Sequence, residues 1–344
     1  GAVLIGNITS AWYEMYEDFD NDGQPDDPEM VEFPIDLYFA DLDGDWSDLN
    51  QNGIFDRHSG EVHPEIWLGR IKADNLTYTD LAEIELLQRY FDRNHRFRNG
   101  LIVSPNNALA YIDDDWEYWG EDYQDHLEHV YDDVELINNV NETTAPDYRS
   151  NRLPVDYEFI QVHVHSWPAS HYFYEDNGEY YQEFYNTEIS PINPKAFFYN
   201  LFCCSNAQFE VTNNMGSLYL LANDHCLGTI GSTKTGSMLR FENFYQPLSQ
   251  DDTFGEAMKQ WWIESVDTGD DQGWERSWFY GMVFLGDPSL KQHYVNENIV
   301  YVDSDYSGAE HGTMYQPYNS IQEGIEAAED GNIVLVNDGL YIEN

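Results

Sequence analysis

The chain has 344 residues, 42% of them apolar and 16% aromatic, which is enough to bury a sizeable core and too many for a disordered chain. Lys and Arg number 15 against 64 Asp and Glu, and the net charge of −49 makes nucleic acid and anionic membrane poor partners. No apolar run approaches the roughly eighteen residues of a membrane span, so membrane insertion is not expected.

Residues 2–6 (AVLIG) read as a buried parallel strand, and no basic stretch precedes them as a secretion signal would require. The chain is therefore expected to be part of a longer protein. Residues 12–62 are acidic and turn-rich around an apolar stretch from Ile35 to Phe39. Residues 65–71 (EIWLGRI) form a strand. A helix over 78–96 follows, with Leu81, Ile84, Leu86, Leu87, Tyr90 and Phe91 as its apolar positions and Asp80 in its first turn, where a carboxylate suits the helix dipole. Segments 100–104 and 109–112 are short strands. The spacing of Tyr123, Leu127, Val130, Tyr131 and Val134 predicts a helix over 119–137. A strand over 157–164 leads to His165, and a hairpin over 171–185 turns at Asn177-Gly178. A second strand over 196–203 leads to Cys203 and Cys204. A helix over 215–224, a strand over 226–231 and a helix over about 254–265 complete the alternation. Strands alternating with helices predict an α/β fold whose mostly parallel sheet is covered on both faces. In such sheets chemistry gathers at the carboxyl ends of the strands, where His165 and Cys203-Cys204 both lie.

The loudest local signal is acidic spacing. Residues 18–29 (DFDNDGQPDDPE) fit a twelve-residue calcium loop, with Asp18, Asp20, Asp22, the Gln24 carbonyl, Asp26 and Glu29 as ligands and Gly23 at the sharp turn. Residues 48–56 repeat the scheme with Asp48, Asn50, Asn52, the Ile54 carbonyl and Asp56. Ser59 stands where the bidentate ligand belongs, with Glu61 as its substitute and Asp41, Asp43 and Asp45 as further contributors. No flanking helix pair is visible, so both read as calcium-stapled insertions and not as a switch. Structural Ca2+ is the expected cofactor, with no redox or organic cofactor. The charge excess has two further readings, a salt-adapted surface and attraction of basic substrates.

Three scattered cysteines are no disulfide framework, and an adjacent pair fits disulfide geometry poorly. They are buried structural thiols, or one of them works. A cysteine hydrolase needs a thiolate, an imidazole beside it and donors for the oxyanion. Strand alternation lets only one of Cys203 and Cys204 meet His165.

Five segments occur in the order that gingipain-type cysteine peptidases show. They are DLYFADLDGDW with PEIWLGRI, FIQVHVHSW, FCCSNAQF, LGTIGSTKTGSM and FLGDPSL, spread over about residues 2–292. The chain resembles that family. The resemblance implies a caspase-like three-layer sandwich and a secreted or cell-surface endopeptidase acting on protein or peptide substrates. It makes Cys204 the nucleophile, since Phe209 follows five positions later, and His165 rather than His163 the acid/base. Glu65 orients the imidazole, the Ser166 and Cys204 N–H groups form the oxyanion hole, and Asp80 is the counterpart of a specificity acid or else a plain helix N-terminal acid. The family has Gly where Ser166 and Ala207 stand. The alternative is a catalytically inactive, peptidase-like surface or adhesion protein.

Composition shifts near Asn296. Segments 299–303, 319–328 and 332–343 read as strand, helix and strand, and resemble the cap and first coil of a right-handed parallel β-helix. The expected domains are thus 1–296, gingipain-like with calcium-loop insertions at about 17–62, and 297–344, the beginning of a β-helix. Further coils, and any attachment to a cell surface, would follow Asn344.

Overall fold

The structure, a computed structural model, describes residues 1–174, 180–266, 273–294, 296 and 298–341. Its strands in chain order begin with β1 (Ala2–Ile5), β2 (Trp12–Met15), β3 (Val31–Pro34), β4 (Asp45–Ser47), β5 (Arg57–Ser59) and β6 (Leu68–Ile71). They continue with β7 (Asn107–Ile112), β8 (Asp133–Ile137), β9 (Phe159–His163), β10 (His165–Trp167), β11 (Ser170–Tyr174) and β12 (Tyr181–Tyr185). The last are β13 (Phe198–Phe202), β14 (Gly228–Ser232), β15 (Met282–Gly286), β16 (Ile299–Val302) and β17 (Ile333–Val336).

Eight strands make the central sheet in the order β1-β6-β15-β14-β13-β9-β7-β8. Strands β9, β13, β14 and β15 are buried along their whole length, as strands covered on both faces are; β15 is apolar throughout, β9 and β13 are mostly apolar around Gln161 and Asn200, and β14 (GTIGS) is built of small residues around Ile230. The sheet is two parallel blocks joined at one antiparallel seam. Strands β8, β7, β9, β13 and β14 run one way; β15, β6 and β1 run the other. The carboxyl ends of the first block and the amino ends of the second therefore share one rim. The core beneath includes Tyr111, Tyr148, Ile160, Val162, Leu201, Phe209 and Leu218, all fully buried. This mostly parallel α/β architecture is the expected class.

Several local expectations need correction. The helix predicted over 119–137 is a 3-10 turn at Asp114–Trp119, a short helix at Gly120–Leu127 and then β8, whose half-buried residues form the sheet edge. The apolar spacing of Val130, Tyr131 and Val134 serves a turn and a strand with equal ease. The helix over 78–96 begins only at Glu83, which leaves Asp80 outside it. Residues 100–104 form no strand; Leu101 and Val103 instead pack on Ile299, Tyr301 and Met314. Strand β11 pairs with β12 from Ser170↔Tyr185 to Tyr174↔Tyr181, and the expected turn at Asn177-Gly178 lies outside the described residues.

The chain divides into two compact units. One comprises Gly1–Tyr90 and Asn106–Gln292, the other Phe91–Pro105 and His293–Asn344. In the second, β16 and β17 pair in parallel on either side of the helix Ile321–Ala327, whose Ser320 cap accepts from the Glu323 N–H.

Candidate active site

Strands β9 and β13 are neighbours in parallel, with Phe202 opposite His163. His165 and Cys204 therefore stand level, each two residues past its strand. Both line a cavity of about 250 Å³ with Phe19, Trp116, Val164, Phe202, Cys203, Thr235, Gly236, Ser237 and Trp278. His163, one pleat earlier, is fully buried between the rings of Tyr123 and Phe202, each 4.2 Å away, and burial holds its imidazole well below the usual range. It is a neutral core residue. His165 stands partly exposed, with the Trp116 ring 4.8 Å and the Tyr174 ring 5.3 Å from its own.

The two cysteines divide as alternation demands. Cys203 is buried, its sulfur meeting the Asn206 amide, and burial pushes its thiol far up. Cys204 is partly exposed to the cavity. Burial also raises its thiol; the Gly236 N–H and the Lys234 ammonium pull the other way, and Glu17 opposes them. Among the described residues the Cys204 N–H meets no acceptor, so it is free to serve an oxyanion. The next residue, Ser205, takes a positive φ of 57° and donates its N–H to the Lys234 carbonyl at 2.8 Å, which turns the chain sharply under the thiol.

Ser166 and Ala207, which replace family glycines, sit without backbone strain, since neither has a positive φ. Ser166 lies in β10 and its hydroxyl donates to the Cys204 carbonyl, tying the histidine segment to the cysteine turn. Ala207 is buried, with its N–H on the Ser232 carbonyl at 3.0 Å.

Two expected residues lie elsewhere. The carboxylate on His165 is Asp115, whose Oδ2 is 2.7 Å from Nε2. Glu65 instead accepts from the Leu42 N–H at 2.6 Å and groups with Asp41 and Asp43. The sheet order explains this: β15 and β14 stand between β6 and β13, so Glu65 reaches the shared rim three strands too far along. Asp80 lines a separate depression with Thr77, Tyr78, Thr79, Thr187, Ser190 and Pro191, none of which borders the Cys204 cavity. The sequence carried a signal for Asp115. The run Asp113-Asp114-Asp115 directly follows β7, which neighbours β9 at the rim where chemistry is expected.

Behind the cavity wall Lys234 is fully buried and pairs with Glu17 at 2.5 Å. Its ammonium also meets the Thr235 and Ser277 carbonyls and lies 5.2 Å from the centre of the Phe19 ring.

No protein-family model matches the sequence, and no curated protein does. Among solved structures, the Arg-specific cysteine proteinase gingipain R aligns with a TM-score of 0.54 at 13% identity, covering 84% of this chain and 63% of that one. The complex of Porphyromonas gingivalis RgpB pro- and mature domains aligns with a TM-score of 0.48 at 13% identity, over 68% of this chain and 60% of that one. The chain has the gingipain-type peptidase fold. It spans less than two thirds of the gingipain R chain. Among its described residues, no helix is long and apolar enough to cross a membrane.

On this gingipain-type frame the two acidic loops close two hairpins, β2–β3 and β4–β5. They match position for position. Asp18 and Asp48 each accept from the N–H four residues on at 3.2 Å, and from Gly23 and Gly53 at 3.0 and 2.8 Å. Asn21 and Gln51 have φ of 60° and 63°, and both glycines have positive φ, as the turn requires. In the first loop, carboxylate oxygens of Asp18, Asp20 and Asp22 lie within 4.8 Å of one another. Asp26 is held by the Phe19 N–H at 2.5 Å, and Glu29 is not part of that group. In the second loop Asp56 accepts from the Leu49 N–H at 2.9 Å. The acid at Asn50 and Asn52 is the buried Glu14, at 2.5 and 3.0 Å from their amide nitrogens. Glu61, the expected substitute, pairs with His63, Asp41 is bound to the buried His58, and Asp45 pairs across β4–β5 with Ser59. Sequence reading had no means to find Glu14, which lies on another hairpin.

Proposed function

We propose that this chain carries the catalytic part of a secreted or cell-surface cysteine endopeptidase, with Cys204 as nucleophile, His165 as acid/base and Asp115 as the carboxylate that orients the imidazole. The observation that carries this reading is the level placement of Cys204 and His165 just past the ends of adjacent parallel strands, both lining one cavity.

In the resting site burial favours a neutral thiol. Substrate entry brings His165 to take the thiol proton, with Asp115 on Nε2 leaving Nδ1 for that exchange. The sulfur attacks the scissile carbonyl and forms the C–S bond. The oxyanion is met by the Cys204 N–H and, from the neighbouring segment, the Ser166 N–H. His165 returns its proton to the leaving amine as the C–N bond breaks. Water, deprotonated by the same imidazole, then hydrolyses the thioester and restores the thiol.

Structural Ca2+ belongs to this reading. Loop 18–29 offers Asp18, Asp20 and Asp22, with Gln24, Asp26 and Glu29 closing on the ion. Loop 48–56 offers Asp48, Asn50, Asn52, the Ile54 carbonyl and Asp56, with Glu14 in place of the missing bidentate ligand. Millimolar calcium outside cells would fill both. Residues 297–344 are read as the beginning of a parallel β-helix, supported by the parallel β16–β17 pair.

The test is hydrolysis of casein or a peptide library by the protein and by Cys204→Ala. The expected result is cleavage that falls by at least about a thousandfold in the variant, with an unchanged melting temperature. Burial raising the Cys204 thiol favours a second reading, an inactive surface protein. An inert parent protein would establish that reading and end the first.

A further inference from the structure

We infer that the site selects a large apolar side chain, aromatic above all, at the substrate residue just before the scissile bond. This rests on the peptidase reading and names the substrate class for it. The cavity opening beside Cys204 has the volume for one such side chain, at about 250 Å³. Two aromatic pairs wall it: Trp116 against Phe202, ring centres 5.5 Å apart, and Phe19 against Trp278, 5.2 Å apart. Between them run Thr235, Gly236 and Ser237. A side chain at Gly236 would meet the Trp278 carbonyl oxygen at 2.6 Å, so this close approach of the two walls needs a residue without Cβ.

Charge argues the same way. Among the described lining residues none is a carboxylate, lysine or arginine, and His165 and the thiols are the titratable groups. The acid just behind the wall, Glu17, is already matched by the buried Lys234. The ammonium of Lys234 is in turn saturated by Glu17 and by the Thr235 and Ser277 carbonyls. A lysine or arginine entering the cavity would lose its water and find no carboxylate among the described lining residues, the nearby Asp115 being held by His165, and stacking on the aromatic walls replaces only part of that hydration. An acidic side chain meets the same desolvation on a chain of net charge −49. A small side chain leaves the aromatic walls uncovered.

The experiment compares kcat/KM on matched peptides that differ only at this position, carrying Phe, Leu, Ala, Arg, Lys or Asp. Phe and Leu should exceed Arg and Lys by at least about tenfold. Equal or faster cleavage after Arg or Lys overturns the inference while leaving the peptidase reading in place. Peptidyl acyloxymethyl ketones with Phe or Arg at the same position report separately on Cys204. Absence of both cleavage and Cys204 labelling removes the peptidase reading, and this inference with it. Phe19→Ala should cut the Phe-to-Ala preference about tenfold, and Phe19→Leu should keep most of it. An unchanged preference in Phe19→Ala places the specificity pocket elsewhere.

Discussion

The rim around Cys204 and the acidic segment between β1 and β6 hold their functional groups by opposite means. At the rim, position comes from long-range pairing: β9 lies on β13, and side chains far apart in sequence come level because the strands are in register. In the acidic loops position is local. Asp18, Asp20, Asp22, Asp26, Asp48 and Asp56 accept from backbone N–H groups two to seven residues away, and the same pattern forms twice. The first arrangement depends on the whole core, whereas the second, on the proposed reading, would depend on a cation to quiet its own repulsion.

Chelation, which would remove the proposed calcium, should separate the two regions most sharply. A filled site adds about 2.7 kcal/mol when calcium stands at a hundredfold excess over Kd. Chelating two sites should therefore lower Tm by on the order of 10 °C. Calcium titration by calorimetry should show two sites in the parent, one in Glu14→Gln and two in Glu61→Gln. No shift in Tm with chelator breaks the comparison, because the loops would then hold themselves. Activity should fall together with Tm, since Phe19 of the first loop lines the Cys204 cavity.

The core side of the comparison is tested with acid. His171, on β11, is fully buried, stacks near Phe184 and Tyr219, and has no hydrogen-bond partner for either ring nitrogen among the described residues. Burial pushes it down to about 3. The unfolded chain, with an ordinary value near 6.5, takes up the proton first as pH falls. The contribution is thus whole above about pH 6.5 and is lost progressively toward pH 3, by roughly 3 kcal/mol at pH 4. Urea melts at pH 7 and pH 4 should show that loss in the parent and a flatter response in His171→Phe. An equal slope in both would mean that water reaches this ring.

The smallest effect concerns the rim itself. Asp115→Asn keeps shape and removes charge, and should lower kcat/KM about tenfold with KM little changed, whereas Glu65→Gln should leave kcat/KM within about twofold. A larger loss in Glu65→Gln would restore the acid expected from sequence.

What could be read in the chain follows the same division. The fold class was legible because β9 and β13 are largely apolar on both faces, broken only by Gln161, His163 and Asn200, as a doubly covered sheet requires. The shape of the two loops was legible because the groups that form each turn are near neighbours in sequence. Glu65 and Asp80 were misplaced for a common reason: motif order says which segment reaches the rim but not how many strands separate two segments along it. Asp115 and Glu14 escaped notice because each acts on a partner from a different strand or hairpin. β8 was read as helix because the apolar residues at its start fit either period.

The antiparallel seam between β14 and β15 has one more consequence. Because β15 runs against its neighbour, the stretch entering it, with Trp278 and Tyr280, arrives where the stretch leaving β13 departs. The aromatic wall of the cavity and its thiol thereby come from separate pieces of chain that meet without sharing a strand. If the chain is the peptidase proposed above, exchanging residues 274–280 should retune its substrate preference while the cysteine turn stays as it is.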